Sequence, residues 1–230
     1  MSCIVLAFDI ERAGATAEYD TIAIGASVVD ENLKELDRLF LPGYIKNVTK
    51  FEPRCWDEFW SKNLDQLELI KYERSECGSE LERSECGEDN EAVQKEMIEN
   101  FQEFRAKWEL RAKASGAKFQ IVSDNNVFDG GFINNMIFKH LPGTLPLPYT
   151  ASFPQEYSSF FETHSQQKGL LTAVDPEFKS DWGLSKRISE LYNVPECTVV
   201  HDHHPCNDAY TIAYEQHVLN GIRDGRYKRC

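Results

Sequence analysis

An apolar run at the start of the chain, Cys3-Ile4-Val5-Leu6-Ala7-Phe8, gives way abruptly to two acids, Asp9 and Glu11. So short and dense an apolar run reads as a buried strand. Residues two apart on a strand share a face, so Asp9 and Glu11 project together while Phe8 and Ile10 point the other way. Two carboxylates leaving an apolar strand repel one another and cost desolvation. A divalent cation resolves that conflict, and hard oxygen ligands suit magnesium or manganese. The alternative is a strand that ends at the surface with both acids solvated.

The following segments place this strand in a sheet. Residues 21–29 alternate, with Ile22, Ile24, Ala26 and Val28 on one side and Thr21, Ala23, Gly25 and Ser27 on the other. Asp30-Glu31-Asn32 supplies a turn, and residues 37–44 read as a third strand whose end Pro42 weakens. Three early strands joined by short turns predict a meander. The period then changes: Trp56, Phe59, Trp60, Asn63, Leu64, Leu67 and Ile70 fall at helical spacing. So do Val93, Met97, Phe101, Phe104 and Trp108, on a helix predicted over 91–114 and ended by Gly116. Residues 119–122 form a short strand with a polar exit at Ser123-Asp124-Asn125, and a helix follows Gly131. Residues 142–148 are a breaker-rich connection. Helices are predicted over 153–161, 183–192 and 205–219, the last with Pro205 in its first turn, where proline is tolerated. The pattern predicts one α/β domain over residues 1–230, a mixed central sheet flanked by helices.

Composition bounds the function. With 41% hydrophobic and 12% aromatic residues in 230, the chain is too apolar to be mostly disordered. It has no run of 18 apolar residues, which argues against a membrane-spanning helix. The first residues lack a basic segment, which argues against a signal peptide. Seven scattered cysteines suit a reducing cytoplasmic or nuclear compartment. The net charge of -13 excludes a protein that coats nucleic acid by bulk positive charge. An enzyme that meets phosphates through metal ions stays open. From residue 73 to 103 there are eleven Asp/Glu against three Lys/Arg. Within that stretch Glu73-Arg74-Ser75-Glu76-Cys77-Gly78 recurs as Glu82-Arg83-Ser84-Glu85-Cys86-Gly87. Two short copies do not make a solenoid. Residues 73–90 read as a solvated acidic loop, and the spacing of Cys77 and Cys86 matches no common zinc pattern.

Two further pieces carry chemistry. Asp129 follows Phe128 just past the 119–122 strand and precedes Gly130-Gly131; Asp124 competes with it, and either could be a cap or turn residue. Three of the six histidines fall in His201-Asp202-His203-His204, just ahead of Pro205-Cys206-Asn207-Asp208. Asp208 sits inside the predicted last helix, where a carboxylate can hold a metal. His203, on the loop entering that helix, can act as a general base at neutral pH.

Taken in order, these motifs resemble the DEDDh family of 3′–5′ exonucleases, the RNase T-like or proofreading-exonuclease group. The first is Phe8-Asp9-Ile10-Glu11, the second Asn125-Asn126-Val127-Phe128-Asp129, and the third His203-His204-Pro205-Cys206-Asn207-Asp208. Pro205 departs from the alanine usual in the third motif, and the acidic repeat belongs to no pattern of that family. The resemblance implies an RNase H-like fold and two-metal phosphodiester hydrolysis at the 3′ ends of single-stranded RNA or DNA, releasing nucleoside 5′-monophosphates. It implies that Asp9, Glu11 and Asp208 hold one of two divalent ions, magnesium or manganese. Asp9 would bridge to the second ion, and Asp129 would support it. Two cations about 4 Å apart stabilise both the attacking and the departing oxygen. His203, five residues before Asp208, would be the base; His201 and His204 lie at seven and four.

Phe51, Trp56, Phe59 and Trp60 could stack a terminal base, although their spacing reads first as core. Small residues from 13 to 17 could let backbone donors approach a substrate, and Arg223, Arg226, Lys228 and Arg229 form a basic tail that could touch phosphates or stay solvated. Two other function classes are a non-catalytic nucleic-acid-binding module and a zinc-binding interaction module built from Cys197, His201, His203 and Cys206.

Overall fold

A computed structural model of the chain describes residues 2–43, 51–76, 90–145, 147, 158–177, 179, 183–195, 197–199 and 202–230. Among these residues lies a mixed α/β arrangement. Strands β1 (Cys3–Arg12), β2 (Thr21–Asp30), β3 (Glu35–Pro42), β4 (Lys118–Ser123) and β5 (Ser158–Glu162) form one sheet in the order β3-β2-β1-β4-β5. β1 pairs antiparallel with β2, and β2 with β3, which is the expected meander; β1 pairs parallel with β4, and β4 with β5. β1 is therefore central and carries Asp9 and Glu11 beyond the end of β4, whose last partner on β1 is Ala7.

The alternation along β1 separates two apolar layers. Leu6, Phe8 and Ile10 meet one face of helices α3 (Asn90–Ser115) and α4 (Gly131–His140), where Phe101, Trp108, Ile133 and Ile137 are buried. Phe8 meets Phe101 edge-on at 5.3 Å. Val5 and Ala7, with Val29 and Val122, meet Ile212 and Ala213 of α7 (Pro205–Arg223) on the other face. Farther along, α7 packs with α5 (Thr163–Val174) and α6 (Leu184–Tyr192) through Leu171, Ile188 and Val218.

Three expectations are corrected. The helical spacing from Trp56 to Ile70 is divided between α1 (Pro53–Glu58), a 3-10 turn (Trp60–Lys62) and α2 (Leu64–Glu76). The break has local causes: the Asn63 side-chain Nδ2 donates to the Phe59 carbonyl at 2.9 Å, and the Trp60 indole donates to the Arg12 carbonyl at 2.9 Å, holding that turn against the end of β1. The helix expected over 153–161 is not formed where it is described, because residues 158–162 are the strand β5, paired with β4. A short aromatic run is ambiguous between the two states, and a partner strand decides it. α5 has no counterpart in the sequence reading. Its buried positions Thr163, Gln167 and Leu171 keep helical spacing, but two of the three are polar and leave no apolar period to read. Residues 73–76, the start of the expected acidic loop, are instead the end of α2, and residues 77–89 lie outside the described residues.

Gly25 fixes how closely α7 approaches the sheet. It pairs with Asp9 across β1 and β2, so the two share a face. A Cβ there would lie 2.1 Å from the Pro205 carbonyl carbon and 2.4 Å from the Cys206 nitrogen. These are backbone atoms and cannot swing aside. Gly25→Ala is therefore expected to destabilise the protein by about 1–3 kcal/mol, the usual cost of forced overpacking. Gly169, inside α5 with nothing near its Cβ position, is the control. Gly169→Ala should gain about 0.5–1 kcal/mol from helix propensity. Urea denaturation of the pair reads both signs; equal midpoints would mean α7 does not begin against Gly25.

Candidate active site

The face of β1 that meets α7 ends in Asp9 and Glu11. The first turn of α7 supplies Asp208, and the loop before it supplies His203. Ligand atoms of Glu11, His203 and Asp208 all lie within 4.8 Å of one another, the group of metal-binding type found among the described residues. Asp129 comes from a π-helical turn (Asn126–Gly130) that follows β4, the parallel neighbour of β1. Its Oδ2 accepts from the Asn125 amide at 3.1 Å. Burial is severe for carboxylates: Asp208 is 1% exposed, Asp129 4% and Glu11 9%. Asp9 keeps a partly accessible edge but is surrounded by protein.

Burial and mutual repulsion act in the same direction. The Asp9 carboxyl is pushed well above its ordinary range, first by burial and then by Asp129, Glu11, Asp208 and Asp124, in that order. Glu11 is pushed up by burial and by Asp208 and Asp129. Asp208 rises to about 7, chiefly through burial, although the Asp202 amide donates to its Oδ1 at 3.1 Å and opposes the rise. The charges that act most on Asp9 are all carboxylates, with Asp129 ahead of Asp124. An all-oxygen donor set that repels itself fits hard divalent cations.

This arrangement makes stability depend on pH. A carboxyl raised in the folded state contributes stability that is fully present below its unfolded pKa and is lost as pH rises through its folded value. For Asp208 the window runs from its ordinary value of 3.8 to about 7, a loss on the order of 4 kcal/mol. A cation that binds the ionised carboxylates reverses the loss. The thermal upshift given by magnesium or manganese should therefore be small at pH 5 and several degrees at pH 8. Scanning fluorimetry at both pH values checks this, and equal shifts would mean the ion does not meet these groups.

The two histidines on the described part of the loop have different tasks. His203 takes a left-handed backbone conformation, φ 62°, and its ring meets Phe59 edge-on at 4.8 Å. His204 is buried. Its Nδ1 accepts from the Cys206 amide at 3.3 Å, capping α7, and its ring stacks on Phe40 at 5.2 Å. His201 lies outside the described residues.

A cleft of about 360 Å³ opens beside Glu11, with Ala15, Glu52, Phe59 and Phe128 on its walls. The aromatic quartet divides here: Phe51 and Trp60 are buried core, whereas Phe59 reaches the cleft and His203. The loop after β1 does not offer all its backbone donors, because the Ala15 amide is bonded to Glu52 Oε2 at 2.9 Å. Arg12 was not anticipated. Its guanidinium lies 3.4 Å over the Phe132 ring and donates to the Gly14, Thr16 and Tyr19 carbonyls, shaping that loop. Burial lowers its pKa to about 10. An arginine after D-x-E followed by small residues was the available signal.

The basic tail stands at the other end of α7; Arg223 is 15 residues beyond Asp208, about 22 Å along the helix. Arg226 donates to the Glu31 carbonyl and Arg229 to the Val174 carbonyl. The cysteines of the zinc reading are engaged elsewhere: the Cys206 thiol donates to the Leu39 carbonyl at 3.2 Å and the Cys197 thiol to the Val199 carbonyl at 3.7 Å. No helix among the described residues is long and apolar enough to cross a membrane. Compared with known proteins, the chain matches no protein-family model and no curated protein.

Proposed function

We propose that this chain is a metal-dependent 3′–5′ exonuclease of the DEDDh type, hydrolysing single-stranded RNA or DNA from the 3′ end to nucleoside 5′-monophosphates. The observation that carries the reading is the convergence of Glu11, His203 and Asp208 within 4.8 Å, with Glu11 also lining a cleft. A sheet of order β3-β2-β1-β4-β5, antiparallel on one side of β1 and parallel on the other, supports an RNase H-like fold.

Asp9, Glu11, Asp129 and Asp208 would hold two divalent cations, magnesium or manganese. Bound there, such ions neutralise the phosphate and acidify the attacking water. The protein's own part is positional and acid–base. Asp208, fixed in the first turn of α7, and Glu11, fixed on β1, hold their donor oxygens on two rigid elements, where they would hold a cation against the phosphate. His203 takes the proton from the attacking water; an imidazole suits that transfer near neutral pH. The cleft receives the terminal nucleotide, with Phe59 offering an aromatic wall. A net charge of -13 gives no bulk attraction for nucleic acid, so affinity must be generated at the site itself.

The test is a time course on 5′-labelled single-stranded RNA and DNA with magnesium, manganese or EDTA. The expected result is a metal-dependent ladder shortening from the 3′ end. No shortening of either strand under any metal overturns the reading and favours a non-catalytic binding module.

A further inference from the structure

His203 is a non-glycine residue in the left-handed region, and such a conformation persists only where its surroundings impose it. The neighbouring residues show what imposes it. The Asp202 carboxylate reaches over His203 and accepts from the His204 amide at 3.1 Å, closing an Asx turn with His203 at its tip. The same carboxylate accepts from the Asn207 side-chain amide, 3.3 Å to Oδ1 and 3.1 Å to Oδ2. Asn207 is itself held, because Arg38 Nη1 donates to its Oδ1 at 3.2 Å. Arg38 grips Glu35 with two bonds, 2.9 and 3.2 Å, and Glu35 accepts from the Ser27 hydroxyl at 2.7 Å. A continuous chain of hydrogen bonds thus runs from β2 and β3 through Arg38 and Asn207 to Asp202. On the other side of the turn, the Asp202 amide donates to Asp208. The histidine loop is tied at once to the sheet, to the helix and to the acidic centre.

We propose that Asp202 is a positioning residue: with Asn207 and Arg38 it holds His203 in its left-handed conformation, facing Glu11 and Asp208. This rests on the exonuclease reading for its catalytic consequence, but the positioning itself is independent of activity. Among the described residues, every side-chain hydrogen bond of Asp202 goes to the loop or to α7, and its charge also acts on Asp208. It works by removing freedom from a base that a helix does not otherwise fix.

The test has two arms on the full chain. In the first, backbone order parameters and ring chemical shifts of His203 are measured by NMR in wild type, Asp202→Ala and Asp202→Asn. Asp202→Ala should loosen His203, and Asp202→Asn, which keeps an oxygen for the His204 amide, should restore it. In the second, steady-state cleavage should show kcat lowered about 10- to 100-fold in Asp202→Ala with KM nearly unchanged, and most of kcat regained in Asp202→Asn. A thermal shift given by magnesium should persist, because all four acids of the centre remain. If Asp202→Ala does not fold, Asn207→Ala, on the surface side of the same clamp, should give the same pattern at about 3- to 10-fold. A His203 that stays ordered in Asp202→Ala, or in Asn207→Ala where that variant stands in for it, overturns the proposal. A wild type that never cleaves overturns the exonuclease reading and leaves the NMR arm to decide the positioning.

Discussion

Asp9→Asn should lower cleavage by about 10³-fold or more while making the metal-free protein more stable. The substitution conserves shape and removes one charge. Its effect on the reaction follows from the donor set. Asp9 is the acid whose surroundings include all the others, with Asp129, Glu11 and Asp208 each acting on it. Losing the carboxylate at that common point weakens the hold on cations that supply several kcal/mol to phosphoryl chemistry, and each 1.36 kcal/mol is a factor of ten in rate. The effect on stability has the opposite sign for the same reason. Without a cation, Asp9 is a buried charge among like charges, and an amide in its place relieves repulsion and desolvation together. The melting temperature in EDTA should therefore rise, and the increment given by magnesium should shrink. Measuring turnover and melting temperature on one preparation separates this from a folding defect. An Asp9→Asn protein that melts lower and cleaves normally would place the chemistry elsewhere.

The candidate site was legible in the sequence where it depends on period and spacing. The two-residue spacing of Asp9 and Glu11 puts them on one face of β1, and the five residues from His203 to Asp208 bring loop and helix to the same place. What was not legible depends on partners far along the chain. Gly25 reads as a small residue in a strand; its purpose appears only when the start of α7, 180 residues later, lies against it. His204 reads as a rival to His203 because helix caps are ordinarily Ser, Thr, Asp or Asn, and a ring nitrogen as cap acceptor has no sequence signature. β5 and α5 failed for a related reason. A short run takes the conformation of whatever pairs with it, and a helix that buries Thr163 and Gln167 shows no apolar stripe. Local periodicity records the solvent boundary of an element, whereas polar burial records a particular neighbour.

The pair of adjacent histidines provides the sharpest separation of chemistry from structure. His203→Ala should lower kcat by about 10²- to 10⁴-fold, the range for loss of a general base. The fold should be kept, since His204 rather than His203 caps α7 and alanine carries the same Cβ into the left-handed conformation that His203 already adopts. His203→Asn, a residue that tolerates that conformation, should be as inactive as the alanine variant, which separates loss of the imidazole from loss of the turn. His204→Ala should do the reverse. It removes the buried cap on α7 and the stack on half-buried Phe40, and should cost about 1–2 kcal/mol while leaving kcat within a few-fold of wild type. Free imidazole should partly restore cleavage to His203→Ala and do nothing for His204→Ala, because only the first leaves a gap beside Glu11 and Asp208. Full activity in His203→Ala would remove the base from this loop. A cleavage loss in His204→Ala without a stability loss would exchange the roles of the two rings.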